Sequence, residues 1–142
     1  MEHILRFSLL TLLEYQDVTL LDIQPLLTDQ DFRNNVLSRV SNQKLLDFWY
    51  KEFGKYSPSF KSEAISPILN KLGIFASSAI LRNIVGQKES GFELEKVMND
   101  GKILIANFAK GKLGEDVSSL LGCVLVTSIQ LSALQRAKLS EE

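Results

Sequence analysis

The segment at residues 101–122 constrains the fold of this chain more than any other part of its sequence. Six mostly apolar residues at 103–108 are typical of a buried β-strand. A loop with two lysines and two glycines follows, and the acidic pair Glu115-Asp116 then begins a long apolar stretch. A strand, a polar loop and a helix with acids in its first turn form one unit of a parallel α/β sheet. We therefore predict a strand at Ile103–Phe108, followed by a helix of about 24 residues.

The sequence before this segment has helical periodicity, which predicts six or seven helices. The predicted fold class is mainly α: a multi-helix domain followed by a single β-strand and a long helix derived from an α/β core. We place the boundary near Gln87–Ser90, with an all-helical domain at 1–87 and a helix–strand–helix piece at 88–142. A buried strand with so few candidate neighbours suggests a piece of something larger, unless a hairpin from the ambiguous segment at 16–27 covers it.

The predicted long helix carries more apolar residues than one buried face requires. Its apolar positions extend round the helix, which indicates burial on more than one side. Cys123 lies within it and is expected to be a small buried hydrophobe. Among the earlier aromatic residues, Phe48, Trp49 and Phe53 have helical spacing beside leucines, so we interpret them as core rather than as base-stacking groups.

Composition excludes several classes of function. The chain has 142 residues and a net charge of −1, which predicts no bulk attraction to nucleic acid or anionic membrane but leaves room for a local basic patch. Its one cysteine excludes an intramolecular disulfide, and His3 is the only histidine. No zinc site and no Ser–His–Asp or Cys–His catalytic set is therefore expected.

No targeting segment or membrane span is expected from the sequence. The N-terminal apolar run has Glu2 where a secretory signal requires positive charge. The long helix comes closest to a span, but serines, threonines and a glutamine interrupt it before about 18 apolar residues accumulate. We therefore predict a cytoplasmic location.

Nucleotide-binding motifs fail at their defining positions. The glycines of Gly86–Gly91 have the spacing of a phosphate-binding loop, but Phe92 and Glu93 occupy the lysine and the serine or threonine positions. Gly111-Lys112 is followed by leucine, and the predicted strand does not end in an acidic pair. The chain alone is therefore not expected to hydrolyse ATP, and no catalytic residue is assigned.

Four charged residues form a compact group at the carboxyl end of the predicted strand: Lys110, Lys112, Glu115 and Asp116. Ligands bind at that edge of open α/β sheets, so a nucleotide, a nucleic acid or a neighbouring subunit is one candidate contact. The alternative, which the residues alone favour, is structural: the acids complement the helix dipole and the lysines are solvated. Arg82 likewise either faces solvent or bridges subunits.

The residues at 80–122 resemble a known family. ILRNIVGQKESGFELEKVMNDG and GKILIANFAKGKLGEDVSSLLG are similar to the ATPase core of conjugative coupling proteins. These proteins belong to the FtsK/HerA-like branch of RecA-fold motors, which includes type IV secretion ATPases. MEHILRFSLLTLLEYQDVTLLDIQPLLTD and SEAISPILNKLGIF also resemble that family, so the similarity extends over nearly the whole chain.

The resemblance implies a fragment of an ATP-driven motor that pumps DNA, or DNA with attached protein, through a homo-hexameric ring. In the family, the phosphate loop precedes a helical domain, and an acidic Asp-Glu strand follows the long helix. Both motifs would fall outside this chain, and so would the bound ATP and Mg²⁺ expected of the parent protein.

The resemblance also implies site residues. Arg82, Asn83 and Gln87 match a short linker segment of the family. A second group matches its loop after the strand: Lys110, Gly111, Lys112, Gly114, Glu115 and Asp116. The charged and polar members are implied to face a subunit boundary, DNA or nucleotide.

A second functional hypothesis stays open. The missing nucleotide motifs and the near-zero net charge also fit a stand-alone helical module that binds protein partners through an exposed apolar face. Under either hypothesis, the chain is expected to self-associate through its strand or its last helix.

Overall fold

The structure is a computed structural model that describes residues 2–15, 18–89 and 91–139, with side chains described as far as Arg136. The chain divides into two compact units, Met1–Lys88 and Glu89–Glu142, here called unit 1 and unit 2. Ser90, at one end of the predicted boundary, lies outside the described residues.

Unit 1 is helical throughout its regular structure. Its α-helices are α1 (Glu2–Glu14), α2 (Ile23–Thr28), α3 (Gln30–Leu37), α4 (Gln43–Asp47), α5 (Pro58–Ser77) and α6 (Ala79–Val85). A 3₁₀ turn at Leu20–Asp22 leads into α2. A π-helical turn at Phe48–Glu52 and a 3₁₀ turn at Phe53–Lys55 continue α4.

Short polar side chains begin several of these helices. The residue before the helix accepts a hydrogen bond from a backbone N–H of the first turn, which would otherwise lack a partner. Asp29 does so for α3, Asn42 for α4, Ser57 for α5 and Ser78 for α6. Because Ser78 both ends α5 and caps α6, the two helices meet at a bend of 102°.

The core of unit 1 is closed round a group of aromatic side chains. Phe48, Trp49 and Phe53 are 3%, 2% and 1% exposed, which confirms their interpretation as core residues. Their rings contact one another in tilted and edge-on arrangements with centroids 5.0–6.1 Å apart.

A buried hydrogen-bond chain joins this aromatic group to α1. The indole Nε1 of Trp49 donates to Oγ1 of Thr11 at 2.8 Å, and Thr11 Oγ1 donates to the Phe7 carbonyl at 2.7 Å. Thr11 is fully buried. Burial deprives the indole N–H of its hydrogen bond to water, which costs free energy unless another acceptor replaces it. Thr11 supplies that acceptor, which an apolar side chain could not do.

Unit 2 contains α7 (Leu94–Asn99), α8 (Lys110–Leu113) and α9 (Glu115–Leu139), and both α7 and α8 contact α9. Residues 102–109 form a connection without regular secondary structure. The predicted mainly α class is confirmed. The derivation of unit 2 from an α/β core stays a prediction.

The predicted β-strand at Ile103–Phe108 is wrong, since none of the residues that the structure describes is in a strand. A strand exists only when a second strand supplies backbone hydrogen bonds. The segment at 18–27, the alternative cover, contains the 3₁₀ turn at Leu20–Asp22 and most of α2 instead of a hairpin. Residues 16 and 17 of that candidate hairpin lie outside the described part of the chain.

Thr11→Val tests the hydrogen-bond chain of unit 1. The substitution keeps the shape of the side chain but leaves the buried Trp49 indole N–H without its acceptor, so the free energy of unfolding should fall by about 1–3 kcal/mol. Thr28→Val is the matched control, because Thr28 makes the same bond to a carbonyl four residues earlier, that of Gln24, but is exposed. Urea unfolding followed by Trp49 fluorescence measures both. Equal effects of the two substitutions would contradict the assigned role.

Candidate functional site

The loop that the sequence singled out is a tight connection between α8 and α9. Gly114 links the two helices with φ +82° and ψ 160°, a backbone conformation that residues with a Cβ rarely adopt. Its N–H donates to the Lys110 carbonyl at 2.9 Å, and its carbonyl accepts from the Ser118 N–H at 3.1 Å. Gly114 therefore ends α8 and begins α9 within one residue.

The charged side chains of this loop are solvent-exposed. Lys110 Nζ lies 3.0 Å from Glu115 Oε1, with both side chains more than 60% exposed. Glu115 and Asp116 occupy the first turn of α9, where their charge complements the helix dipole. Lys112 is exposed and forms no ion pair with any described residue. An exposed pair of this kind contributes little to stability, so the loop offers accessible charge rather than a rigid pocket.

The connection that precedes this loop exposes apolar side chains to water. Ile103 and Ile105 are 89% and 87% exposed, and Leu104 is 41% exposed. The end of the connection is attached to α9, because the Ser118 hydroxyl donates to the Phe108 carbonyl at 3.2 Å. The consecutive residues 103–105 thus present apolar surface to water.

The helix α9 exposes a second apolar surface. Ser118 is the only buried side chain among those described in this helix, and Val124, Val126, Leu131 and Leu134 are all more than half exposed. Cys123 is also exposed, so its interpretation as a buried hydrophobe is wrong. The expected burial of α9 on several sides is not provided by the described part of unit 2.

By length and composition, α9 is able to cross a membrane. Glu115–Arg136 has a mean hydropathy of 1.8 and is 6% buried over its most apolar part. Helices α5 and α6 together meet the same criteria, although the 102° bend separates them. The core helix of a soluble assembly has the same composition, so the absence of a membrane span stays a prediction.

The second group of candidate residues belongs to unit 1. Arg82 and Asn83 lie on α6 and Gln87 follows it, and all three side chains are exposed. The Arg82 carbonyl accepts from the Gly86 N–H at 2.9 Å, which closes the last turn of α6. Gln87 also lines an open apolar groove with Leu9 and Leu12 of α1. These residues and the α8–α9 loop lie in different units.

A polar pocket in unit 1 was not predicted from the sequence. Arg33, Lys55 and Lys61 line it, and we call it the cationic pocket; its volume is about 310 Å³. Its other lining residues are Gln30, Asn34, Leu37, Trp49, Tyr50, Phe53 and Gly54. The three cations come from α3, the turn after Phe53 and α5, and no motif spacing in the sequence connects them.

Among the described side chains, no group of three or more histidine, cysteine, aspartate or glutamate residues lies close enough together to hold a metal ion.

Comparison of the chain with protein-family models, with curated proteins and with solved structures gives no match.

Gly114→Ala tests whether the loop geometry depends on glycine. The positive φ strains any residue with a Cβ, so the free energy of opening the α8–α9 junction should fall by about 1–3 kcal/mol. Gly111→Ala is the matched control, because Gly111 lies in α8 without a positive φ and has open space around its Cβ position. It should stabilise the helix slightly, by up to about 1 kcal/mol. Amide hydrogen exchange at Ser118 measures both, and the same sign for both substitutions would refute this reading of the junction.

Proposed function

We propose that this chain supplies the helical domain and one core segment of an ATP-driven DNA-translocating protein of the conjugative coupling and type IV secretion class. One observation carries the proposal: residues 103–105 hold consecutive apolar side chains in water, and the long exposed apolar helix α9 begins ten residues after Ile105. In this proposal both surfaces are covered by the remainder of a RecA-like core.

The chemistry of residues 103–108 favours a sheet as their partner. A central strand of a parallel sheet is covered by helices on both faces, so its side chains are apolar on both sides. Ile103, Leu104 and Ile105 have that character, whereas an ordinary surface connection is polar. Strand pairing would also provide partners for the backbone N–H and C=O groups of this segment.

The position of α9 fits the same arrangement. In a strand–loop–helix unit, the helix returns across the sheet and buries its apolar side against it. The α8–α9 loop would then lie at the carboxyl edge of the sheet, where Lys110, Lys112, Glu115 and Asp116 contact DNA, nucleotide or a neighbouring subunit. Arg82, Asn83 and Gln87 are proposed to face a subunit boundary.

The proposal assigns catalysis to parts of the protein that this chain lacks. ATP and Mg²⁺ are bound by a phosphate loop and an acidic strand elsewhere in the parent protein, which works in the cytoplasm as a homo-hexamer on DNA. The described residues contribute no catalytic group. Their role is to position the loop charges and to complete the core.

A helical protein-interaction module is the second candidate, and the exposed apolar residues of α9 favour it. In that case a partner protein, or a second copy of the chain, covers Val124, Val126, Leu131 and Leu134. In this alternative, residues 103–108 do not pair with another strand, and no nucleotide is required.

The coding sequence on either side of the chain tests the proposal first. We expect a phosphate-binding loop encoded upstream and an apolar strand ending in Asp-Glu encoded downstream. The protein expressed from that reading frame should hydrolyse ATP faster when DNA is added. A reading frame that lacks either of these motifs would refute the motor proposal and favour the interaction module.

Substitution of the loop lysine tests the assigned site within that protein. Lys110→Ala should reduce DNA-stimulated ATP hydrolysis roughly tenfold, because it removes a charge from a proposed interface. Lys102→Ala is the matched control: it removes an exposed lysine whose Nζ lies 2.7 Å from Asp100 Oδ2, outside the α8–α9 loop. If both substitutions change the rate equally, the loop has no special role.

A further inference from the structure

The cationic pocket concentrates positive charge in a chain whose net charge is −1. Three cations line it and none of its lining residues carries a carboxylate. Arg33, Lys55 and Lys61 form no ion pair with any residue in the described part of the chain. Like charges that line one cavity repel one another, and an anionic ligand would relieve that repulsion.

Arg33 is held in place for this role. Its Nη1 donates to the carbonyls of Leu26 at 2.9 Å and Leu27 at 3.2 Å, and its guanidinium lies 5.4 Å from the centre of the Phe53 ring. These are its only hydrogen bonds to described residues, and they leave Nη2 and Nε to donate to a ligand. Burial lowers the pKa of the guanidinium, and the charge of Asp29 opposes that shift.

Asp29 does not neutralise the pocket. Its Oδ1 accepts the backbone N–H groups of Asp31 and Phe32 at 2.8 and 3.1 Å, so this carboxylate is engaged as the cap of α3. It contributes to the electrostatics of Arg33 without lining the cavity.

Two lysines line the pocket together with Arg33. Lys61 Nζ lies 4.8 Å from the centre of the Phe53 ring, which lines the same cavity. Lys55 is exposed at the edge of the pocket. With Arg33 they give one planar donor and two ammonium groups, a set that suits the oxygens of a phosphate group.

An aromatic ring lies beside this charge. Tyr50 is 58% exposed and lines the pocket, whereas Trp49 and Phe53 are buried beneath it. An exposed ring next to phosphate-binding cations is the arrangement on which unstacked bases bind. Gln30 and Asn34 add amide groups at the same opening.

We propose that the cationic pocket binds a phosphodiester of single-stranded DNA, with an adjacent base stacked on Tyr50. This inference rests on the proposed function only in choosing DNA as the carrier of the phosphate. The pocket lies wholly in unit 1, so its test does not depend on ATP hydrolysis or on the α8–α9 loop.

Binding of fluorescein-labelled oligo-dT of 12 nucleotides to the full chain, followed by fluorescence anisotropy, tests the proposal. The three cations of the pocket are proposed to neutralise phosphates of the DNA. A plot of the logarithm of the association constant against the logarithm of salt concentration should therefore have a slope of about −2. Affinity should accordingly fall about 20-fold between 50 and 200 mM salt. A duplex of the same length should bind more weakly because its bases are not available to Tyr50.

Two matched double variants locate the binding site. Lys55→Ala with Lys61→Ala should weaken binding at least about tenfold and bring the salt slope close to −1. Lys44→Ala with Lys71→Ala removes the same charge from exposed lysines of unit 1 outside the pocket and should leave affinity within about twofold. Tyr50→Leu should weaken oligo-dT binding about tenfold without changing the slope.

Three results would overturn the proposal. The first is no binding of oligo-dT at 50 mM salt, and the second is equal loss of affinity in the two double variants. The third is an NMR titration in which inorganic phosphate shifts the signals of Arg33, Lys55 and Lys61 and oligo-dT does not. That result would assign the pocket to free phosphate. ATP hydrolysis by the protein from the whole reading frame is measured separately, so failure here leaves the motor proposal standing.

Discussion

The backbone of residues 103–108 imposes the constraint on which this account depends. An extended apolar segment needs hydrogen-bond partners for its N–H and C=O groups and apolar cover for its side chains. Among the described residues of unit 2, the Ser118 hydroxyl anchors the Phe108 carbonyl, while Ile103 and Ile105 are in water. We propose that a sheet in a larger assembly satisfies both needs.

The two units differ in how completely each buries its own side chains and pairs its own polar groups. Unit 1 has a closed aromatic core, with the Trp49 indole hydrogen-bonded to Thr11, and no buried side-chain polar atom without a partner among the described residues. Unit 2 buries one side chain of α9 among those described. Unit 1 therefore contains the cationic pocket within its own fold, whereas we propose that the apolar surfaces of unit 2 are covered by neighbouring parts of a larger protein.

Residue spacing along the chain predicted the features that depend on helix formation. Helical periodicity identified the mainly α class and the burial of Phe48, Trp49 and Phe53, because spacing along a helix fixes which side chains share a face. The predicted strand at 103–108 was wrong because a strand needs a second strand, which periodicity does not reveal. Cys123 was wrongly expected to be buried because burial needs a neighbouring element, which periodicity does not reveal either. The cationic pocket escaped prediction since Arg33, Lys55 and Lys61 meet only through tertiary packing.

Amide hydrogen exchange at residues 103–108 measures the central claim most directly, because it reports whether their N–H groups have acceptors. In the chain alone, these amides should exchange at rates close to those of an unfolded peptide, while those of α1 near Thr11 are protected. In the protein expressed from the whole reading frame, the same six residues should become protected as a core strand. Strong protection of these amides in the dilute, monomeric chain would contradict the account.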